Sequence, residues 1–333
     1  MLNTPCSIRE YRIYAAKELE QKSPSPDLDA QVLLRHAFKY DKTQLLLFAD
    51  NLIPQEKLVW LNNAVEQRKT GLPVAYITGV KEFYGYDFFV TPDVLIPKPD
   101  TEILVEHAVE MIMDRLDGEG AEVGVGACVA VGSGAAARLL KICDMCTGSG
   151  CIGISVLKTL YTLEKVPVEK LPQLTMVDIS EPALAIAKKN AAHLLPDSEI
   201  LQKINFVQSD LFEKVEGSFD FILTNPPYIP SAMVDELLKD GRNEPRLALD
   251  GDMALREPQG PHASGPLADG TFLIKKLLKQ SCEHLTNNGT ILMETGEYNA
   301  QATADFASTL GFTTQLHKDL EGQLRVVEMT HEQ

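Results

Sequence analysis

The sequence predicts an α/β fold in which a doubly wound, mainly parallel sheet follows a small N-terminal all-α domain. From Lys141 onward, short apolar segments typical of buried strands alternate with segments of helical period. Such alternation is typical of parallel strands whose connecting helices cover both faces of the sheet. Residues 1–72 show only helical patterns, whereas residues 73–97 are rich in aromatic and β-branched residues interrupted by glycine. We therefore expect a helical domain over 1–72, a β-hairpin linker over 73–97 and the α/β domain over 98–333.

The helical region has recognisable start and stop signals. Ser7 and Glu10 form a capping-box pattern, which predicts a helix that runs to about Gln21. Apolar residues then recur near the helical period in two further stretches, at Leu28, Val32, Leu33 and Phe38, and at Leu58, Trp60, Leu61 and Val65. These stripes predict a small helical bundle. By themselves they fit a folding cap as well as a substrate-docking module.

The linker leads into a proline-containing segment and two irregular stretches. Pro97 and Pro99 favour an extended backbone, after which Asp100 or Thr101 can cap a helix that begins near Glu102. Residues of about 117–137 and 253–268 are rich in small residues, glycine or proline and show no period. Both stretches are predicted to be flexible insertions at the surface.

Composition and charge restrict the classes of partner. The 333 residues include 44% hydrophobic and 23% charged residues, as in ordinary globular proteins. A net charge of −16 argues against stable binding to nucleic acid, because such affinity comes largely from Lys and Arg on phosphates. No apolar run is long enough to span a membrane, and the N-terminus lacks the pattern of a signal peptide. We therefore expect a cytoplasmic protein that does not bind membranes.

The cysteines contain one pattern that resembles a metal site. Cys143 and Cys146 have C-x-x-C spacing, and Cys151 is close by. There is no second such pair, and residues three apart on a strand point to opposite faces. We therefore expect buried small residues here and no metal.

Glycines and acidic residues at strand ends predict a nucleoside site. A Thr-Gly-Ser-Gly turn at 147–150 follows the first strand and opens a helix, so a ligand can approach the backbone closely. Residues 148–153 also match G-x-G-x-x-G, which NAD-binding proteins share. Asp178 ends the next strand, where a carboxylate can accept both ribose hydroxyls of NAD or of S-adenosylmethionine. Asp144 and Asp210, together with the segment described next, favour S-adenosylmethionine.

Asn-Pro-Pro-Tyr at 225–228 follows a buried strand directly. The two prolines restrict the backbone and remove two donors, so the Asn225 side chain and the Pro226 carbonyl become a stiff pair of acceptors. Such a pair can accept both N–H groups of a planar amino group, while Tyr228 covers one of its faces. The other face stays open to an electrophile.

This tetrapeptide is similar to the [Asn/Asp]-Pro-Pro-[Tyr/Phe/Trp] signature of methyltransferases that act on planar amino groups of adenine, cytosine or glutamine. The whole chain resembles the HemK/PrmC family, the protein-(glutamine-N5) methyltransferases of peptide chain release factors. The resemblance is carried by residues 83–85, 95–102, 144–150, 177–184, 209–212, 225–229 and 243–249.

The resemblance implies a class I S-adenosylmethionine-dependent methyltransferase whose helical domain helps to dock the release factor. The methyl group would go to the side-chain nitrogen N5 of the glutamine in a Gly-Gly-Gln motif, leaving S-adenosylhomocysteine. The implied cofactor residues are Cys146, Thr147, Gly148, Ser149, Gly150, Asp178 for ribose, Asp210 and Leu211 for adenine, and Asn225. The implied substrate residues are Asn225, Pro226, Pro227 and Tyr228, with Asn225, Pro226 and Tyr228 also catalytic.

Two residues depart from the family pattern, and the sequence also fits several alternative functions. Cys146 stands where the family usually has glycine, and Lys98 where it usually has arginine. An adenine-N6 methyltransferase acting on nucleic acid shares the tetrapeptide, and a glutamine methyltransferase of a ribosomal protein is a close sibling. A non-catalytic partner-binding module would keep the fold but lose the donor or acceptor residues, and both sets are present. Turnover on each purified substrate separates these functions.

Overall fold

The computed structural model describes residues 5–121, 138–195, 197–239, 243–253 and 269–331. Their contacts divide them into two compact units. The first comprises the described part of residues 1–80, 90–92 and 235–244, and the second comprises that of 81–89, 93–234 and 245–333. Within the described residues, no helix is long and apolar enough to cross a membrane.

The first unit is built on five helices near the N-terminus: α1 (Ile8–Leu19), α2 (Pro26–Phe38), α3 (Lys42–Leu47), α4 (Gln55–Lys69) and α5 (Val74–Thr78). Both reciprocal hydrogen bonds of the Ser7–Glu10 capping box are present, which confirms the predicted start of α1, although the helix ends at Leu19 rather than near Gln21. Of the predicted stripe residues, Leu33, Leu58, Leu61 and Val65 are buried in the core of this unit, and Phe38 and Trp60 pack against it. Leu28 was assigned to the core wrongly, because its side chain is 55% exposed.

The predicted hairpin is shorter than the sequence suggested. Its strands are β1 (Val80–Phe83) and β2 (Tyr86–Phe89), joined by a turn in which Tyr84 and Gly85 both have positive φ. The expectation of extended backbone after Pro73 was wrong, since Val74–Thr78 is the helix α5. Pro73 immediately precedes that helix and Gly79, at φ 72°, ends it. These two local signals outweigh the strand preference of β-branched residues. The domain limits drawn at 72 and 97 stay a prediction.

A seven-stranded sheet forms the centre of the second unit. Its strands are β3 (Lys141–Met145), β4 (Gln173–Asp178), β5 (Ile204–Gln208), β6 (Phe219–Thr224), β7 (Leu285–Glu294), β8 (Phe312–Lys318) and β9 (Leu324–His331). Their order is β5-β4-β3-β6-β7-β9-β8. Strands β3 to β7 run parallel, and β9 is antiparallel to β7 and β8. This arrangement confirms the predicted doubly wound, mainly parallel sheet.

Helices cover both faces of this sheet, as alternating side chains on the strands require. They are α6 (Glu102–Ala121), α7 (Cys151–Thr162), α8 (Glu181–Leu194), α9 (Ser198–Leu201), α11 (Phe272–Ser281) and α12 (Ala300–Thr309). A further helix, α10 (Ser231–Lys239), follows β6 in the chain. On β3, Ile142 packs into one core and Cys143 into the other, as the two-residue period of a strand dictates. The sheet changes direction of growth between β3 and β6, so their carboxyl ends border a crevice where ligands bind in such folds.

Two predictions about irregular segments are partly tested. The helix α6 continues through Ala121, so the prediction of a flexible insertion was wrong for residues 117–121. Two glycines in that stretch cost only about 1 kcal/mol each, which a long helix tolerates. Residues 122–137 and 254–268 lie outside the described residues. The helix α11 ends at Ser281, four residues before β7 begins at Leu285.

Candidate active site

A cavity of about 370 Å³ lies at the carboxyl ends of the central strands. Its walls come from the turn after β3, the ends of β4, β5 and β6, the segment before α6 and one side of α11. Residues predicted for the site supply much of its lining: Cys146, Thr147, Gly148, Ser149, Asp178, Asp210, Leu211, Asn225 and Pro227. Three further predicted residues, Gly150, Pro226 and Tyr228, are not part of the lining.

The turn after β3 depends on left-handed backbone conformations. Gly148 and Gly150 have φ of 54° and 81°, a region that glycine adopts without steric cost. A Cβ atom on Gly150 would lie 2.7 Å from Ile154 Cδ1 and 2.8 Å from Met176 Cε. Gly150 therefore permits both the turn and the close packing of α7 against β4, although it does not face the cavity.

Cys146 shares this conformation without being glycine. Its φ is 58°, so the position at which the resemblance implies glycine is one where any side chain is strained. Such a residue costs about 1–3 kcal/mol, and the surrounding structure has to hold it in place. Burial raises the pKa of the Cys146 thiol, and the nearby carboxylates of Asp178 and Asp144 raise it further. The side chain is thus a neutral thiol at the cavity wall.

Asp144 braces this turn from below. Its carboxyl is fully buried, and one oxygen, Oδ2, accepts hydrogen bonds from Thr147 Oγ1 at 2.6 Å and Gly153 N at 3.0 Å. Burial raises the pKa of Asp144 to about 7, against the opposing effect of these two bonds. Asp144 is not part of the cavity lining, so it acts on the backbone that carries the lining residues.

Asp178, at the end of β4, connects the turn to the cavity. Its Oδ2 accepts from Gly148 N at 2.8 Å, and its Oδ1 accepts from Ser180 N at 2.9 Å. Burial raises the pKa of Asp178, against the hydrogen bonds from the Ser180 and Gly148 amides. A carboxylate oxygen has two lone pairs, so both oxygens can still accept a ribose hydroxyl.

Asp210 follows β5 and forms an ion pair that the sequence analysis missed. Lys276, on α11, donates to Asp210 Oδ2 at 2.8 Å and lies 3.7 Å from Glu213. Both Asp210 and Lys276 line the cavity. The only signal of Lys276 in the sequence was its place on an amphipathic helix, which does not distinguish a cavity residue from a solvated one.

The turn after β6 is held by side chains at both of its ends. The carbonyl oxygen of Tyr228 accepts from Asn299 Nδ2 at 3.1 Å and from the Tyr298 hydroxyl at 3.3 Å. The Tyr228 hydroxyl donates to Glu294 Oε1 at 3.3 Å, and burial raises its pKa. Tyr228 is thereby fixed in position behind Asn225.

Asn225 itself is oriented by a residue that the sequence analysis assigned only as a possible helix cap. Asn225 Nδ2 donates to Thr101 Oγ1 at 3.3 Å, and both residues line the cavity. With its amino end committed to Thr101, the side chain has its carbonyl oxygen available as an acceptor.

The segment after α10 packs closely against this turn. Ile229 exchanges backbone hydrogen bonds with two of its residues, accepting from Gly251 N at 3.0 Å and donating to Leu249 O at 2.9 Å. A Cβ atom on Gly251 would lie 2.9 Å from the carbonyl oxygen of Pro227. The resemblance includes residues 243–249, and the structure shows that 249–251 support the backbone of the acceptor turn.

Comparison with known proteins identifies the family. A family model for the PrmC N-terminal domain matches residues 10–79, and one for the methyltransferase small domain matches residues 134–255. The release factor glutamine methyltransferase of Rhodopirellula baltica is 33% identical over 311 residues, which cover 92% of this chain and 90% of that protein. The chain belongs to the release factor glutamine methyltransferase family.

Two further family members agree. The release factor glutamine methyltransferase of Leptospira interrogans is 31% identical and covers 93% of each chain. That of Koribacter versatilis is 32% identical over 85% of this chain and 84% of its own. These relatives confirm the resemblance inferred from the motifs, and they show that the chain is a methyltransferase. The roles predicted for individual residues stay predictions.

The site of this methyltransferase fits S-adenosylmethionine better than a dinucleotide. In a dinucleotide site, the backbone N–H groups of the glycine turn bind a diphosphate. Here the N–H of Gly148 is taken by Asp178, and a second carboxylate, Asp210, stands in the same cavity. Asp178 suits ribose hydroxyls and disfavours an anionic diphosphate at the glycine turn, whereas Asp210 is paired with Lys276 and can accept from an amino group through its other oxygen.

Proposed function

We propose that this methyltransferase transfers the methyl group of S-adenosylmethionine to the side-chain nitrogen N5 of the glutamine in the Gly-Gly-Gln motif of a peptide chain release factor. One observation carries the proposal. The Asn225 amide, fixed by Thr101 at 3.3 Å, presents an acceptor in the same cavity as the glycine turn and the two carboxylates. A release factor substrate also implies that the enzyme works in the cytoplasm.

The cofactor is held by the glycine turn and the acidic strand ends. Asp178 accepts the ribose hydroxyls, Asp210 and Leu211 lie beside the adenine, and residues 146–149 accommodate the methionine part on a turn that Gly150 permits. Bound S-adenosylmethionine supplies an electrophilic methyl group.

Substitution of Asp178 tests this cofactor site. A hydrogen bond to a charged group contributes about 1.5–3 kcal/mol, so Asp178→Ala should weaken cofactor binding at least about tenfold. Asp305→Ala, which removes an exposed carboxylate from α12, is the matched control for charge. Calorimetry with both variants measures the difference. Unchanged affinity in Asp178→Ala, or tight binding of NAD by the native protein, contradicts the assignment.

The acceptor turn positions the amide nitrogen rather than deprotonating it. An amide nitrogen is a poor nucleophile because its lone pair is delocalised into the carbonyl group. The Asn225 side-chain oxygen and the Pro226 carbonyl accept its two N–H groups, which raises the electron density on nitrogen and fixes its direction. Tyr228 supports this turn, and oriented juxtaposition alone is worth roughly 7–11 kcal/mol of the barrier. Methyl transfer leaves S-adenosylhomocysteine and an N-protonated amide, which loses one proton to solvent, so no residue is assigned as a general base.

The substrate glutamine has to come from an exposed loop that can enter the cavity. The helical domain over residues 1–72 offers a second contact with the same protein, and binding energy from that contact offsets the cost of ordering the loop. A short Gly-Gly-Gln peptide should therefore be a far worse substrate than the whole release factor.

The decisive experiment incubates the enzyme with S-adenosylmethionine and purified release factor, and maps the product by peptide mass spectrometry. We expect one added methyl group on the glutamine of the Gly-Gly-Gln motif, and no methylation when that glutamine is replaced. A release factor that stays unmodified while DNA or a ribosomal protein is methylated would overturn the proposal.

A further inference from the structure

Glu294 is a buried carboxyl beneath the acceptor turn to which the sequence analysis gave no role. It is the last residue of β7 and is 1% exposed. Its Oε1 accepts from the Tyr228 hydroxyl at 3.3 Å, whereas no described residue donates a hydrogen bond to Oε2. An incompletely satisfied buried carboxyl costs stability. The presence of Glu294 in the core is therefore explained by a role other than stabilising the fold.

A relay of hydrogen bonds joins Glu294 to Asn225. The Thr101 hydroxyl interacts with Glu294 and also accepts from Asn225 Nδ2 at 3.3 Å. A hydroxyl has one hydrogen, so a hydrogen donated to Glu294 leaves the Thr101 oxygen as an acceptor. This requires the amino end of Asn225 to face Thr101, which leaves the carbonyl end for the substrate.

The opposite arrangement fails for the proposed chemistry. If Glu294 is protonated, it can donate to Thr101, and the Thr101 hydrogen is then free to point at Asn225. The amide of Asn225 would turn its oxygen to Thr101 and its NH2 group to the cavity. A donor would then meet the NH2 group of the substrate glutamine, and no hydrogen bond could form.

We propose that Glu294 is a positioning residue that acts through Thr101 to hold the carbonyl oxygen of Asn225 toward the substrate, and through Tyr228 to hold the acceptor turn. The inference rests on the proposed function, because it assigns to Asn225 the task of accepting from a substrate amide. Glu294 acts on the substrate only through these side chains, since it is 1% exposed and lies beneath the acceptor turn.

The groups around Glu294 determine its charge. Tyr228 and Thr101 contribute hydroxyls, Arg325 on β9 contributes a positive charge, Asp100 contributes a negative charge, and the Cys151 thiol of α7 is within electrostatic range. Arg325 is shared, since it lies 3.3 Å from Asp100 and 3.0 Å from Asp319. Burial raises the pKa of Glu294 to about 7, while the hydrogen bonds from Thr101 and Tyr228 and the charge of Arg325 oppose this rise.

The sign of the pH dependence follows from these groups. The productive orientation of Asn225 requires the ionised carboxylate, which is acceptor-only. The kcat of the native enzyme should therefore increase as pH rises through about 7. The increase should be absent when residue 294 cannot ionise.

The main test compares Glu294→Gln with Thr101→Val and Thr101→Ser. We expect kcat to fall at least about tenfold in Glu294→Gln and in Thr101→Val, with a flat profile around pH 7 and a smaller change in KM. Thr101→Ser keeps the hydroxyl and should retain most of the native kcat and the native pH profile. Because the two residues act in one relay, the double variant of Glu294→Gln and Thr101→Val should be little worse than either single variant.

Two controls separate positioning from damage to the fold. Glu328→Gln removes a partly buried carboxyl on β9 that contacts His317 at 2.8 Å and is not part of the cavity lining. It should leave the kcat profile unchanged. Calorimetry with S-adenosylhomocysteine should give near-native affinity in the Glu294 and Thr101 variants, which also shows that these proteins are folded.

A readout in the ligand-free protein tests the relay independently of activity. The side-chain amide signal of Asn225 in ¹⁵N NMR spectra should shift with pH around 7 in the native protein and not in Glu294→Gln. Native kcat and a native pH profile in Glu294→Gln would overturn the inference. An Asn225 amide signal whose pH dependence is the same in the native protein and in Glu294→Gln would overturn it as well. If native enzyme fails to methylate release factor, the proposed function falls, while the NMR experiment still decides the relay.

Discussion

The two turns that border the cavity each rest on one buried carboxyl. Asp144 lies beneath the glycine turn and Glu294 beneath the acceptor turn, at 0% and 1% exposure. Each has one oxygen that accepts no hydrogen bond from the described residues. Burial raises both pKa values to about 7.

The difference lies in what each carboxyl holds. Asp144 accepts from a residue of its own turn and from a backbone amide of α7, so it fixes the path of a glycine-rich backbone. Glu294 accepts from the hydroxyl of Tyr228 and interacts with that of Thr101, so it orients side chains on a backbone that prolines already restrict. The glycine turn should therefore be sensitive to added side-chain atoms, and the acceptor turn to changes in polarity.

The largest effect is expected at Asn225, where the acceptor turn meets the substrate. Asn225→Ala removes one of the two acceptors, and turnover should fall by about a hundredfold to a thousandfold, as when a transition-state hydrogen bond is lost. Cofactor affinity should change little, because Asp178 and Asp210 are untouched. Asn205→Ala, an exposed position on β5, is the matched control. Single-turnover kinetics with calorimetry measures both quantities, and near-native turnover would contradict the role of Asn225.

Asp144 should make the fold less stable as pH rises. Its pKa is about 7 in the folded protein against the ordinary aspartate pKa of 3.8 in the unfolded chain, so between these values the folded state binds more protons than the unfolded state. The free energy of unfolding should therefore decrease from about pH 4 to pH 7, by up to about 4 kcal/mol from this group.

Asp144→Asn tests that dependence, because an asparagine oxygen can still accept from Thr147 and Gly153. Denaturant unfolding at a series of pH values should show a smaller decrease in the variant than in the native protein. The same decrease in both proteins would mean that Asp144 does not titrate in this range.

Gly150→Ala should destabilise the glycine turn by roughly 2–4 kcal/mol, since the left-handed φ of 81° is combined with contacts at 2.7 and 2.8 Å. Gly217→Ala is the matched control, because its φ is 87° and a Cβ atom there meets nothing within 4 Å. That variant should lose only about 1 kcal/mol. Equal losses in the two variants, measured by denaturant unfolding, would show that packing at Gly150 contributes nothing.

Cys146 offers the smallest and most specific comparison. Cys146→Gly and Cys146→Ala both remove the thiol, but only glycine adopts a φ of 58° without strain. Cys146→Gly should therefore be more stable than Cys146→Ala by about 0.5–1 kcal/mol, after the entropy that glycine gains in the unfolded chain. Thermal unfolding of the pair measures the difference. The reverse order would mean that the turn relaxes to an ordinary backbone when the side chain is small.

Much of the second unit could be predicted from the sequence because its signals are local. The first strand of the sheet begins at Lys141 as predicted, and the glycine turn, Asp178 and Asn225 lie at one edge of the sheet as the motifs indicated. Parallel strands place their carboxyl ends together, so residues that follow each strand meet without further information. The error at Val74–Thr78 is also local, since β-branched residues suggested a strand where Pro73 and Gly79 delimit a helix.

The sequence by itself determined the fold class, the family and the residues whose neighbours in the chain reveal their task. Glycines, prolines and strand-terminal acids are such residues, because they act through their own backbone. Only the tertiary structure decided which side chains hold them. Thr101, Lys276 and Glu294 lie 124, 66 and 66 residues from the partners Asn225, Asp210 and Tyr228 that they contact. A hydrogen bond depends on distance and direction in the folded chain, and neither is encoded in the spacing of residues so far apart.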